Sequence, residues 1–306
     1  VRACVDEAGI DVVIERYYNF GGEGVRAAHD RDIPALVEVN SPLTEYPGSL
    51  KSRIDGLLLM RPMARLRDDI CRKATAFISP LPSIIPEQVP REKIHEVSWG
   101  ANVESFTPEA VKRPLAIPTD KKVVAFSGSF RPWHGADVLV RAAAELPEAF
   151  FLFIGDGPEQ ASCRRLAEEL GLKERMLFTG AVRYEEVPSY LRWADVGVAP
   201  YQPGRLGQMQ LGFYWSPLKI FEYMAMGVPV VSLDVPPLRE IVRASEGRLV
   251  PEGDPSALAR AIDELLTNNA SRDAMSRSAR ERVVAHYSWQ RHCEQLDDIL
   301  RGLTTS

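Results

Sequence analysis

The chain of 306 residues carries only four cysteines and five histidines. Cys4, Cys71, Cys163 and Cys293 are scattered and share no metal-ligand spacing, and the histidines form no cluster. This composition speaks against a zinc-type structural site and reads as reduced thiols in a cytoplasmic protein. No apolar run approaches the length of a membrane span, and no secretory leader pattern is visible. Internal repeats and low-complexity tracts are missing. Excess positive charge is missing too: the net charge of −5 argues against nucleic acid as the main partner. A hydrophobic content of 45% and a charged content of 26% are ordinary for a soluble globular enzyme, and the length suits two domains.

Strands alternate with helices along most of the chain, which implies parallel sheets. In the first part, strands are expected at Asp11–Tyr18, Ile33–Asn40 and Ala76–Ser79. Gly24–Asp30 reads as a helix, Ser41–Ser49 as a loop, and Leu57–Lys73 as largely helical and amphipathic, with Pro62 a kink or a restart. Pro-rich and irregular sequence then runs from Pro80 to Asn102. The second part predicts strands at Val123–Phe126, Phe151–Ile154, Met176–Phe178, Val196–Ala199, Val228–Ser232 and Arg248–Val250. Helices are expected at Ala136–Leu146, Pro158–Leu170, Glu186–Trp193, Pro217–Met226, Pro237–Arg243 and Pro255–Leu266. Two longer ones follow, near Ser271–Tyr287 and Trp289–Leu303. Such a doubly wound sheet binds ligands beyond the carboxyl ends of its strands.

The segment Ser216–Ser232 reads as a loop, a short helix and a buried strand, with Pro217 suited to the first helical position. Gly227 and Pro229 stop the helix. The start of this helix, at Ser216, Pro217 and Leu218, offers unpaired N–H groups and a positive dipole end, for which phosphate is the usual guest. Lys219 lies in the first turn and Glu222 one turn on, on the same side. Such a pair can hold a diphosphate and a ribose diol together; an ordinary surface Lys–Glu pair is the alternative.

This pattern closely resembles the nucleotide-sugar site of family-4 glycosyltransferases of the GT-B fold. Phe126–Gly135 is similar to the family's glycine-rich turn, and Phe153–Pro158, Leu177–Gly180 and Ala194–Pro200 match in the family's order. The resemblance covers about Lys121 to Val250. It implies an α/β, GT-B-like chain with two Rossmann-like doubly wound domains facing a cleft. The expected division is an acceptor-side domain over 1–104, lacking its opening strands, a donor-binding domain over 105–287, and a last helix, 288–306, crossing back to the first domain. The implied activity is retaining and metal-independent: transfer of a hexose from a UDP, GDP or ADP sugar to an acceptor hydroxyl. An epimerase or hydrolase of the same architecture, or a non-catalytic nucleotide-sugar-binding module, are the rival readings. No cofactor beyond the donor is implied. The one Asp-x-Asp, Asp30-Arg31-Asp32, precedes a strand and reads as a solvated turn.

Carried onto this chain, the resemblance puts ribose on Glu222 and the leaving diphosphate on Lys219, Arg131, His134 and the helix start. Gly128 and Gly135 let the backbone approach the diphosphate. His134 stands where the family often has Lys and can supply a positive charge only if bound phosphates raise its pKa; Ser129 stands where the family often has Arg, with Arg131 a candidate replacement. A solvated arginine and a packing histidine are the plain alternatives. The base is expected near Gly180–Arg183, Val182 included. Tyr214 replaces a family Glu that contacts the donor sugar; with Phe213 and Trp215 it makes an aromatic cluster that either stacks on sugar or packs the loop. Arg205, in the loop Gly204–Gly207, is a further phosphate candidate or a surface residue. In the first domain, Asn40 stands where many members have a sugar-contacting His, and Glu15 and Arg16 are acceptor-side candidates or an ion pair. The basic run Arg61, Arg65, Arg67, Arg72 and Lys73 is a candidate for peripheral contact at the inner membrane surface or with an anionic acceptor, a solvated face being the plainer reading. Nucleotide, acceptor and oligomeric state are not legible.

Overall fold

The computed structural model describes residues 5, 9–18, 21–43, 48–58, 61–109, 114, 116–206, 213–214 and 216–305. Cys4, Gly207, Trp215 and parts of the expected Ser41–Ser49 loop lie outside the described residues. Two compact units are formed: Val1–Trp99 with Gly207–Ser216 and Gln290–Ser306, and Gly100–Leu206 with Pro217–Trp289.

The first unit holds β1 (Val13–Arg16), α1 (Glu23–His29), β2 (Ala35–Glu38), α2 (Leu50–Leu57), α3 (Pro62–Lys73), β3 (Ala76–Ser79) and β4 (Ile94–Glu96). The strands are parallel, in the order β1-β2-β3-β4. Sequence reading finds three of them. The fourth pairs Ile94 with Phe77 but is only Ile-His-Glu, too short and too polar to register as an apolar run. Of the kink or restart expected at Pro62, the structure has the restart: α2 ends at Leu57 and α3 begins at Pro62. Arg61 adopts the left-handed region (φ 48°), and Pro62 then opens α3, where a missing N–H costs nothing. The Asp55 carboxylate accepts from the amides of Met63 and Ala64 at 2.8 and 2.9 Å and so caps α3. A last helix, Trp289–Thr304, lays Leu296, Ile299, Leu300 and Leu303 on Leu36, Ala76, Ile78 and Val97 of this unit. That spacing is the apolar stripe of an amphipathic helix.

The second unit contains β5 (Lys122–Ser127), α4 (Ala136–Ala142), β6 (Ala149–Ile154), α5 (Gln160–Glu169), β7 (Met176–Phe178), α6 (Val187–Leu191), β8 (Val196–Ala199), α7 (Leu218–Ala225), β9 (Val230–Leu233), α8 (Pro236–Ile241), β10 (Gly247–Val250), α9 (Pro255–Thr267) and α10 (Asn269–His286). Its six strands are all parallel, in the order β10-β9-β8-β5-β6-β7. Chain order reverses between β5 and β8, so the ligand-binding crevice of a doubly wound sheet belongs there. Each central strand is buried on both faces, which explains the unbroken apolar run Ala-Phe-Phe-Leu-Phe-Ile of β6. Phe126, Phe130, Phe153 and Phe178 cluster at the carboxyl ends, the last two stacked at 4.6 Å.

Gly197 on β8 fixes the position of α7. A Cβ at Gly197 would lie 2.6 Å from the Tyr223 ring, so its absence admits the tyrosine. The Tyr223 hydroxyl then accepts the Ser127 amide of β5 at 2.7 Å and donates to the Val198 carbonyl at 3.3 Å. Arg280 of α10 holds the other end of α7, donating to the Ala225 carbonyl at 2.6 Å. Helix α7 begins at Leu218, and Pro217 is its cap and not its first residue as expected. Among the described residues, no helix is long and apolar enough to cross a membrane.

Candidate functional site

A cavity of about 440 Å³ opens at the carboxyl ends of β5, β6 and β7. The end of β5 supplies Ser127, the turn after it Gly128 and Ser129, and the turn after β6 supplies Gly155 and Asp156. Ala181, Val182 and Tyr184 follow β7, and α7 contributes Leu218, Lys219 and Glu222. The two glycine turns pack backbone to backbone: a Cβ at Gly155 would fall 2.2 Å from the Gly128 carbonyl oxygen. Gly128 has φ 118°, and a Cβ there would lie 3.3 Å from the Lys219 Nζ, so only glycine leaves that space open.

Lys219 and Glu222 share this cavity. The Lys219 Nζ is buried, has no hydrogen-bond partner, and lies 4.1 Å from the centroid of the Phe126 ring. Burial pulls its pKa down, against the favourable charge of Glu222. Burial pushes the Glu222 carboxyl up, opposed by a hydrogen bond from the Tyr184 hydroxyl and by Lys219. The protein thus holds a buried cation former and a half-buried carboxylate former in one cavity with their charges incompletely neutralised. An anion beside Lys219 and hydroxyl donors beside Glu222 would restore both charges.

The other expected site residues fall in several places. Val182 and Leu218 line the cavity with Tyr184 and Val187, making an apolar wall in which Leu218 and Tyr184 remain exposed. Gly180 adopts the left-handed region (φ 74°) and its carbonyl accepts the Gly155 amide at 3.1 Å. Gly135 departs from expectation. A Cβ there would fall 1.9 Å from the Pro200 carbonyl oxygen, so its lack of a side chain serves the packing of β8's exit turn. His134 is held within the turn that follows β5. Its Nδ1 donates to the Ser129 carbonyl, and burial together with the charges of Lys219 and Arg131 lowers its pKa to about 4. In the free protein the neutral imidazole is therefore favoured, and a positive charge there requires an anion beside it. Arg131 is exposed, with its guanidinium 5.9 Å from the Trp133 ring. Arg205 is held by Asp137 at 2.7 and 3.0 Å.

Tyr214 and Phe213 are buried and outside the cavity lining, and the Ser216 Oγ is buried without a hydrogen-bond partner. In the first unit, the Glu15 carboxylate accepts from the amides of Gly22 and Val25 at 2.6 and 2.8 Å. It therefore caps α1, a local role that its position at a strand end does not reveal. Arg16 lies over the rings of Tyr18 and Trp99 at 6.0 and 5.5 Å. The Asn40 Oδ1 accepts from the Trp99 indole at 3.2 Å, and its Nδ2 is buried without a partner. On α3, Arg67, Arg72 and Lys73 pair with Asp68 and Asp69. Sequence reading missed Tyr184, one residue beyond the segment assigned to the base, and Ser127, inside the quoted glycine-rich turn.

A family profile described as "Glycosyl transferases group 1" matches residues 108–282. D-inositol 3-phosphate glycosyltransferase of Corynebacterium urealyticum is 32% identical over 70% of this chain and 52% of its own length. The chain spans about half the length of such curated relatives. Among solved structures, sucrose-phosphate synthase from Thermosynechococcus elongatus superposes with a TM-score of 0.74 at 25% identity, over 99% of this chain and 76% of that one. HepE of Anabaena, solved in complex with UDP, gives 0.70 at 18% identity, over 91% and 75% of the two chains.

Proposed function

This chain belongs to the group 1 glycosyl transferases and has the GT-B type of fold, and from that premise we propose that its cavity holds a nucleotide diphosphate sugar whose hexose is passed, with retention and without a metal, to an acceptor hydroxyl. The observation that carries this reading is the buried, unpartnered Lys219 Nζ beside Glu222 in one cavity at the start of α7. Glu222 accepts hydrogen bonds from the ribose diol. Lys219 and the first amides of α7 face the diphosphate and stabilise the charge that builds on it as the sugar leaves. The apolar wall of Val182, Val187, Leu218 and Tyr184 suits the flat face of a base. Without a protein nucleophile, the departing phosphate takes the acceptor's proton on the same face of the sugar, which retains configuration. Arg131, exposed two residues beyond Ser129, is a further cation candidate, and His134 supports the turn. Asn40, Arg16 and the neighbouring Trp99 are the acceptor- or sugar-side candidates of the first unit.

The test is a thermal-shift and titration series with UDP, GDP and ADP, followed by turnover of the sugar of the preferred nucleotide. A tenfold preference corresponds to about 1.4 kcal/mol. Failure of all three nucleotides to bind would sink the reading. Binding with nucleotide release in the absence of acceptor would replace transfer by hydrolysis, and binding without turnover would replace it by a binding module.

A further inference from the structure

We propose that Ser127 is a further donor-binding residue, its hydroxyl giving a hydrogen bond to an oxygen of the diphosphate that Lys219 faces. The inference rests on the nucleotide-sugar reading and adds a contact to it. Ser127 ends β5, is 3% exposed and lines the same cavity as Lys219. Its Oγ is buried and has no hydrogen-bond partner. Its amide is satisfied by the Tyr223 hydroxyl, which spends its own proton on the Val198 carbonyl. The serine hydroxyl lies beside the Tyr223 phenol and acts on it electrostatically, but no partner meets hydrogen-bond geometry at its Oγ.

Buried polar groups are nearly always paired, and a group left unpaired costs stability. Two such groups, the Ser127 Oγ and the Lys219 Nζ, border one cavity. Both bring N–H or O–H donors, and an ammonium has no acceptor to offer. The complement is a ligand rich in acceptor oxygens and carrying negative charge. Gly128 follows Ser127 and keeps the space beside the Nζ open, since a Cβ there would approach it to 3.3 Å. A diphosphate oxygen entering that space satisfies the hydroxyl and the amine together. Hydrogen bonds to charged oxygens are the stronger kind.

A structural hydroxyl and a ligand-binding one differ in sign. Ser127→Ala removes a group that is unsatisfied in the free protein, so the free variant should melt at the wild-type temperature or above. The affinity for whichever of UDP, GDP and ADP binds the wild type best should fall about tenfold, with a smaller nucleotide-induced thermal shift. A free variant that melts several degrees lower makes the hydroxyl structural and overturns the proposal. Unchanged nucleotide affinity overturns it too. If no nucleotide binds the wild type, the site reading fails and this inference fails with it.

Discussion

The side-chain nitrogen of Lys219 sits 4.1 Å from the centroid of the Phe126 ring and 5.3 Å from that of Tyr201, with no hydrogen-bond acceptor. Two ring faces stabilise a cation only partly, by about 2 kcal/mol when desolvated. That is well short of the cost of taking an ammonium out of water. The free protein therefore holds this amine in a state that an arriving anion improves. Binding energy at this point is largest for the state with most negative charge on the leaving group.

Replacing Lys219 by Ala should lower turnover by roughly 10²–10³, the scale of a lost oxyanion donor. Steady-state kinetics with the preferred donor sugar measure it. Near-normal turnover would remove Lys219 from the reaction.

Glu222→Gln should stabilise the free protein near pH 7 while weakening nucleotide binding. The Glu222 pKa is raised from 4.5 to about 7 by burial. Between those values the folded state binds more protons than the unfolded one, so stability falls as pH rises. The variant lacks that loss. Its stability, read by denaturant or thermal unfolding, should exceed the wild type's by a margin that grows from pH 4.5 to 7 and then stays level, on the order of 1–3 kcal/mol. Lys219, lowered from 10.5 to about 7, acts in the opposite sense, and stability rises again from pH 7 to 10.5. A wild-type curve without a dip near neutrality would refute the account.

Gly197→Ala should disturb the site from below the sheet. The added Cβ would meet the Tyr223 ring at 2.6 Å, and that ring carries the hydroxyl that holds the Ser127 amide. Overpacking of this kind costs about 1–3 kcal/mol. Denaturant midpoints should fall, and nucleotide affinity with them. A variant that is destabilised but binds nucleotide normally would show that Tyr223 does not position the site.

Local chemistry made much of this chain legible. The central strands of the second sheet are apolar runs buried on both faces, and the spacing of its strands by helices favours parallel pairing. Lys219 and Glu222 fall on one side of a helix because 3.6 residues make a turn, which no distant contact has to arrange. Strand β4 escaped because three residues with one apolar side chain facing Phe77 carry no periodic signal.

Residue types and spacings determined the alternation of the second unit, the glycine turns and the helix with its cation and carboxylate. Only the tertiary structure decided that Lys219 lies over Phe126 without an acceptor, that Tyr184 joins Glu222, that burial pulls the His134 pKa down, that Glu15 caps α1, and that Gly135 serves packing. Helical spacing is a property of neighbours in the chain. Charge state and partnership depend on burial and on groups brought together from distant segments, and a linear pattern does not contain those distances.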